Sequence, residues 1–192
     1  MYSQVYPTQK VFRVIVEAMS HPGVVYQLPT FQETHLWSTS LLAVAHTLLD
    51  HEVTFVYLGD EIFRIKEIFE ATKSRQVALN EAHYIIIEGN RSNGRICEAN
   101  CGSSTYPDRG ATIIYILSEN DDGSQCFNSS KIILKGPGIK ESISPQMIGL
   151  NRDELVNIRD LNSEYPLGVD CIFLRGSSQV MCIPRSTRIN LG

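Results

Sequence analysis

The residues whose types and spacing best suit chemistry lie in KIILKGPGIK, residues 131–140, where lysines flank a glycine-rich turn. An apolar run leads into Lys135, and Gly136-Pro137-Gly138 follows. Many proteins hold phosphate where a strand ends in such a turn, because free backbone N–H groups point at the anion. A P-loop, however, runs straight into a helix, and Pro137 lacks an N–H group. We therefore predict a structural turn here, with Lys135 and Lys140 still able to attract an anion or an acidic partner.

Two arginines near the carboxyl end form a second candidate group. Arg185 and Arg188 lie in IPRSTRI, directly after the last predicted strand. Arginines in such a position bind phosphate or form ion pairs at an interface, and the alternative is a solvated chain end. The candidate anion-binding or interface residues are therefore Lys135, Gly136, Gly138, Arg185 and Arg188.

No other pattern predicts a catalytic site, a metal or a cofactor. The sequence has no G-x-S-x-G nucleophile motif. His46 and His51 are five residues apart, which does not align them on one helical face. Cys97 and Cys101 form a single C-x-x-x-C pair, whereas structural zinc usually needs two such pairs. No lysine is marked as a Schiff base for pyridoxal phosphate, and we interpret Asp170 as a hydrogen-bonding residue at the start of a strand.

Length, composition and charge favour a cytoplasmic globular protein. The chain has 192 residues, and this length predicts one domain over residues 1–192. The formal net charge of −4 and the lack of a basic run argue against a nucleic-acid partner. The amino terminus lacks the pattern of a signal peptide, and no apolar run approaches the about 20 residues of a membrane helix. The odd number of cysteines favours reduced thiols, and Cys171 and Cys182 lie in apolar runs typical of buried positions.

Helices and strands alternate in the first half of the chain. Apolar spacing predicts helices over residues 8–20, 36–50, 60–74 and 151–165. Apolar and β-branched runs predict strands over residues 24–29, 53–58, 83–88, 111–118, 131–136, 168–176 and 178–186. The 22 residues from 89 to 110 are rich in Gly, Ser and Asn, so we predict a loop with one helical turn near residues 95–100.

The helix ends and faces can also be predicted. Thr8, Asp60 and Asn151 are candidate N-caps, and Glu154 completes a capping-box pattern with Asn151. We expect two sets of apolar side chains to face inward, namely Phe12, Ile15, Val16 and Met19 in the first helix, and Ile62, Ile65, Ile68 and Phe69 in the third.

Hairpins are predicted in the second half. Asp122-Gly123 suits a turn that would return residues 131–136 alongside 111–118, and GSS joins the last two predicted strands. The fold class is therefore α/β, a single domain with a mixed, partly parallel sheet flanked by helices.

Five stretches together resemble one family. They are FRVIVEAMSHPGVVYQLP, YPDRGATIIYIL, LKGPGI, YPLGVDCIFL and IPRSTRI. Their order and separation are similar to those in the PhnH family, the H subunits of bacterial carbon–phosphorus lyase, from about residue 10 to about residue 190. In that family the GPGI segment is an ordinary glycine turn and not a nucleotide motif.

The resemblance implies a function as well as a fold. It implies the architecture of the large domain of pyridoxal-phosphate-dependent transferases, without that cofactor. It further implies a homodimer that joins the G, I and J subunits in a complex that degrades alkylphosphonates. There the G, H and I subunits, with an L subunit, place the phosphonate on the ribose of a nucleoside triphosphate and displace the base. No catalytic residue is established for the H subunit, so none is carried over.

Three functional hypotheses follow from the sequence. The favoured one is an assisting subunit of this enzyme complex. The second is a self-sufficient small enzyme that acts on a phosphate or phosphonate ester at the KGPGIK and PRSTR loops. The third is a vestigial pyridoxal-phosphate protein that retains some binding.

Overall fold

The structure, a computed structural model, describes residues 5–29, 40–117 and 132–192. The helices are α1 (Val5–Ser20), α2 (Ser40–Leu48), α3 (Phe63–Thr72) and α4 (Arg152–Leu161). The strands are β1 (Tyr26–Gln27), β2 (Thr54–Leu58), β3 (Arg75–Gln76), β4 (Tyr84–Glu88), β5 (Thr112–Leu117), β6 (Ile132–Lys135), β7 (Asp170–Arg175), β8 (Gln179–Ile183) and β9 (Arg188–Leu191). None of the helices in these ranges is long and apolar enough to cross a membrane.

A seven-stranded sheet in the order β1-β8-β7-β5-β4-β2-β3 forms the centre. Strands β3, β2, β4, β5 and β7 pair in parallel, and β8 and β1 add antiparallel pairs at one edge. The predicted mixed, partly parallel α/β sheet is thus confirmed. The likeness to the large domain of pyridoxal-phosphate-dependent transferases stays a prediction.

Two apolar clusters cover the two faces of this sheet. On β4, Ile86 faces a cluster to which α1, α2 and α3 contribute, while Ile85 and Ile87 face the other cluster. That second cluster is closed by α4 and by a small antiparallel sheet of β6 and β9. Strands buried on both faces need near-continuous apolar sequence, which explains the YIIIE and TIIYIL runs.

The predicted inward face of α1 is confirmed at Ile15 and Met19 and is wrong at Phe12 and Val16. Val11, Ile15 and Ala18 are buried, whereas Phe12 is 51% and Val16 49% exposed. Phe12 and Val16 lie one residue away from Val11 and Ile15, so the apolar spacing alone fits either stripe, and docking on the sheet selects one. Thr8 is not the N-cap, because α1 already begins at Val5.

The prediction for α3 is confirmed for Ile65 and Ile68, which pack in the core cluster, and is wrong for Ile62 and Phe69. Ile68 is fully buried, but Ile62 is 77% and Phe69 47% exposed. Ile62 occupies the N-cap position without a side-chain hydrogen bond, so Asp60 does not cap the helix. The Asp60 carboxylate instead forms an ion pair with Arg91.

The later elements are predicted better, with one error in pairing. The β7–β8 hairpin is confirmed, and so is the helical turn, which covers Arg95–Glu98. Strand β6 does not return alongside β5; it pairs with β9, a strand that the sequence did not predict. The predicted turn at Asp122-Gly123 and the predicted helical residues 36–39 lie outside the described residues.

Candidate functional site

The Gly136–Gly138 segment is a tight turn, as predicted. The Gly136 carbonyl accepts a hydrogen bond from the Ile139 N–H at 3.2 Å, with Pro137 and Gly138 between them. Gly138 has φ +81°, which glycine adopts without strain at the third position of a type II turn. The Ile139 N–H therefore closes the turn and is not free for an anion.

The β6–β9 ladder places two predicted cations side by side. Lys135 and Arg188 are opposite each other in the register, and both are exposed. Residues directly opposite in an antiparallel pair project from the same face. Neither side chain has an ion-pair partner within the described parts of the chain.

Lys135 and Arg188 line a cleft with a volume of ≈ 760 Å³, between the small sheet and the end of α4. We call it the basic cleft. Among the described residues, its lining is formed by Lys135, Gly136, Pro137, Arg159, Asp160, Asn162, Ser163, Tyr165, Arg185, Ser186, Thr187, Arg188 and Ile189. Four of these are cations and one is a carboxylate, so the cleft is positive in a chain whose net charge is −4.

The four cations are not equally available to a ligand. Arg159 pairs with the Asp160 carboxylate, from its Nε at 2.9 Å and its Nη2 at 2.8 Å. Arg185 donates to Asp170 Oδ2 from Nε at 3.0 Å and from Nη2 at 2.6 Å. Since Arg159 and Arg185 are already paired, Lys135 and Arg188 are the cations that a ligand meets first.

Arg185 links its own segment, after β8, to the start of β7 and to the loop at residues 107–110. In addition to Asp170, its guanidinium donates to the carbonyl oxygens of Pro107 at 2.6 Å and Gly110 at 3.3 Å. Its side chain is only 14% exposed. Asp170 Oδ1 also accepts from the Arg185 backbone N–H at 2.8 Å, which confirms the interpretation of Asp170 as a hydrogen-bonding residue at a strand start.

Thr187, which also lines the basic cleft, is unusual because its hydroxyl is buried. It is 2% exposed, and its Oγ1 has no hydrogen-bond partner in the described residues. The backbone at Gly136 closes against this segment, because a Cβ at Gly136 would lie 3.0 Å from the Ser186 carbonyl oxygen. Glycine at 136 therefore permits the close approach that brings the end of β6 beside Thr187.

The structure thus brings Lys135, Gly136, Arg185 and Arg188 together and leaves Gly138 apart. Gly138 and Lys140 line a separate groove beside Pro22 and Val24.

Sequence reasoning missed Arg159, Tyr165 and Thr187. These three residues join the cleft only through the packing of α4 and β9, for which no local pattern exists.

One buried carboxylate outside the cleft, that of Glu154, is held by hydrogen bonds in the core. Glu154 is 2% exposed and accepts hydrogen bonds from Tyr115 Oη at 2.7 Å and from Ser92 Oγ. Burial, with the Glu154 carboxylate nearby, holds the pKa of Tyr115 well above its usual value, so the phenol stays a donor. The predicted cap is confirmed, since Asn151 Oδ1 accepts from the Glu154 N–H at 2.8 Å, but the Glu154 side chain turns into the core.

The cysteines of the last hairpin behave as small apolar residues. Cys171 and Cys182 are fully buried, and desolvation raises the pKa of both thiols. The interpretation of these two as buried residues is confirmed. Across the described ranges, no three His, Cys, Asp or Glu residues are grouped so as to hold a metal; Cys126 lies outside them. The expected lack of a metal stays a prediction.

Comparison with known proteins gives a consistent result over nearly the whole chain. The family described as "Bacterial phosphonate metabolism protein (PhnH)" matches residues 1–190. The chain is 30% identical to a putative C-P lyase subunit protein HtxG of Stutzerimonas stutzeri, over 95% of this chain and 86% of that protein. It is 26% identical to the alpha-D-ribose 1-methylphosphonate 5-triphosphate synthase subunit PhnH of Rhizobium meliloti (strain 1021), over 96% and 91% of the two chains.

Proposed function

The chain belongs to the PhnH family of bacterial phosphonate metabolism proteins, and from this membership we propose that it is a subunit of a carbon–phosphorus lyase system. More specifically, we propose that it assists the enzyme that makes ribose 1-methylphosphonate 5-triphosphate from a nucleoside triphosphate. The observation that carries the proposal is the match over residues 1–190, supported by the name of the Rhizobium meliloti relative. Its partners would be the G, I and J subunits, in the cytoplasm where nucleoside triphosphates are abundant.

The chemistry of this step sets what an assisting subunit must do. A phosphonate oxygen attacks C1 of the ribose, the bond from C1 to the base breaks, and the base leaves. The 5-triphosphate is unchanged throughout, so a protein that binds it can fix the sugar relative to the reacting atoms. A subunit with exposed cations beside hydroxyl and amide groups is suited to binding a triphosphate, and the basic cleft has this character.

One observation also fits the rival hypothesis of a self-sufficient enzyme. The KGPGIK and PRSTR loops, which that hypothesis uses, meet at Lys135 and Arg188. The polar side chains that line the basic cleft are cations, hydroxyls, an amide and a carboxylate paired with Arg159, which favours binding over proton transfer. We therefore retain the assisting role as the proposal.

Reconstitution separates the two hypotheses. We expect the isolated chain to release no base from a nucleoside triphosphate and methylphosphonate. Base release should appear when the G, I and L subunits are added, and should fall to background when this chain alone is omitted. Base release by the isolated chain at the rate of the full mixture would support the rival, and full activity without this chain would refute the proposal.

We also propose that the isolated protein is a homodimer. Exposed apolar side chains on α1 and α3, among them Phe12, Val16 and Phe63, leave apolar surface that association can cover. Light scattering at micromolar concentration should give twice the mass of the single chain. A monomer mass under the same conditions would contradict this prediction.

A further inference from the structure

We propose that the basic cleft binds the triphosphate group of a nucleotide, with Lys135 and Arg188 as the cations and the Thr187 hydroxyl as a hydrogen-bonding group. That the ligand is a nucleotide rests on the proposed function. The anion site itself rests on three features of the cleft, namely two cations and a buried hydroxyl that have no partner among the described residues, and a suitable size.

The first feature is that two positive charges lie next to each other. Lys135 and Arg188 face each other across β6 and β9, where two like charges repel. Surface cations usually find a carboxylate nearby, but Asp160, the carboxylate in the lining, is already bound to Arg159. An anion between Lys135 and Arg188 would remove the repulsion and supply charge-assisted hydrogen bonds to both.

The second feature is the Thr187 hydroxyl. Buried polar groups are almost always hydrogen-bonded, because an unpaired one opposes folding. Thr187 lines the basic cleft, is 2% exposed, and its Oγ1 has no hydrogen-bond partner in the residues that the structure describes. This hydroxyl is closed to solvent, so binding requires a shift of the turn at residues 185–187 that opens it to the cleft, where a phosphate oxygen held by Arg188, the next residue along the chain, would accept its hydrogen bond.

The third feature is size. A volume of ≈ 760 Å³ exceeds what one phosphate fills, and it lies within the range of about 300–1,000 Å³ typical of small-molecule sites. Tyr165 also lines the cleft and is 68% exposed, so its ring offers an apolar face for a sugar or a base. Several cations beside an aromatic ring favour a triphosphate attached to a nucleoside over inorganic phosphate.

The test is isothermal titration of the full chain with ATP, tripolyphosphate and adenosine at low salt. We expect ATP and tripolyphosphate to bind and adenosine alone not to bind. Lys135→Ala and Arg188→Ala should each weaken ATP binding by about tenfold or more. Both residues are exposed, so neither variant should change the unfolding midpoint noticeably.

Lys140→Ala is the matched control. It removes the same charge five residues further along, in the separate groove. It should leave ATP binding within about twofold, because a charge outside the site acts only through the screened general field. Absence of binding by ATP and tripolyphosphate, or equal weakening by Lys135→Ala and Lys140→Ala, would overturn the proposal. In either case the base-release assay with the G, I and L subunits would still test the subunit role separately.

Thr187 gives a second and independent measurement. Thr187→Val has the same shape without the hydroxyl, so the free protein should keep or raise its melting temperature while ATP binding weakens. Thr187→Ser should restore binding. A lower melting temperature with unchanged ATP binding would show that the hydroxyl serves folding and would refute its place in the site.

Discussion

Replacing Asp170 with alanine should lower the free energy of unfolding by about 3 kcal/mol, because it leaves the mostly buried Arg185 guanidinium without its counter-charge. The Asp170 carboxylate accepts three hydrogen bonds from Arg185, from Nε, from Nη2 and from the backbone N–H. The two side chains are only 26% and 14% exposed, so water cannot fully replace the lost partner. The remaining bonds of Arg185 to the Pro107 and Gly110 carbonyls would also lose their orientation.

An exposed ion pair in the same chain is the control. Asp60 and Arg91 form a contact of 2.5 Å, but their side chains are 66% and 56% exposed. Asp60→Ala should therefore change the free energy of unfolding by less than about 0.5 kcal/mol. Urea unfolding of both variants measures the difference. If Asp170→Ala costs no more than Asp60→Ala, Arg185 does not cross-link the segments that it contacts.

The interpretation of Asp170 shows what sequence reasoning does well. A strand, its entry residue and a cap depend on neighbours along the chain, so β4, the β7–β8 hairpin and the Asn151 cap could all be predicted. Each of these features is decided within a few residues, where apolar period, turn residues and capping side chains are visible in the sequence.

Contacts between segments that are distant in the sequence are predicted less well. The turn pattern between β5 and β6 predicts that these two strands pair, but the partner of β6 is β9, more than fifty residues further on. Local preference cannot decide which of two available strands wins, because the choice depends on how α4 and the sheet pack around both. The prediction for α1 is wrong at Phe12 and Val16 for a similar reason, since Val11 and Phe12 lie on overlapping apolar stripes.

The candidate site likewise combines residues that local sequence predicts with contacts between distant parts of the chain that it does not predict. Local sequence predicts Lys135 and Arg188 separately as candidate residues, yet only the β6–β9 register makes them neighbours. Arg159 and Thr187 carry no local pattern at all, and Thr187 matters only because its hydroxyl is buried without a partner in the described residues. A single sequence therefore predicts the types of residue at this site and not their arrangement.

The Gly136–Gly138 turn gives the other large expected effect. Replacing Gly138 with valine should lower the free energy of unfolding by about 3 kcal/mol, or prevent the protein from accumulating. Two costs combine. Gly138 has φ +81°, which a β-branched residue almost never adopts. A Cβ at this position would also lie 2.1 Å from the Ser20 backbone carbonyl oxygen, at the end of α1.

Gly94 separates these two costs. It has nearly the same φ, +80°, but nothing lies within 4 Å of the position that its Cβ would take. Gly94→Val therefore carries the backbone strain without the collision, and it should cost only about 1 kcal/mol. The excess cost of Gly138→Val over Gly94→Val in urea unfolding then measures how tightly the turn packs on α1. Equal costs would mean that the turn is free of the helix, in which case nothing in the packing would fix where Lys135 leaves β6 and enters the basic cleft.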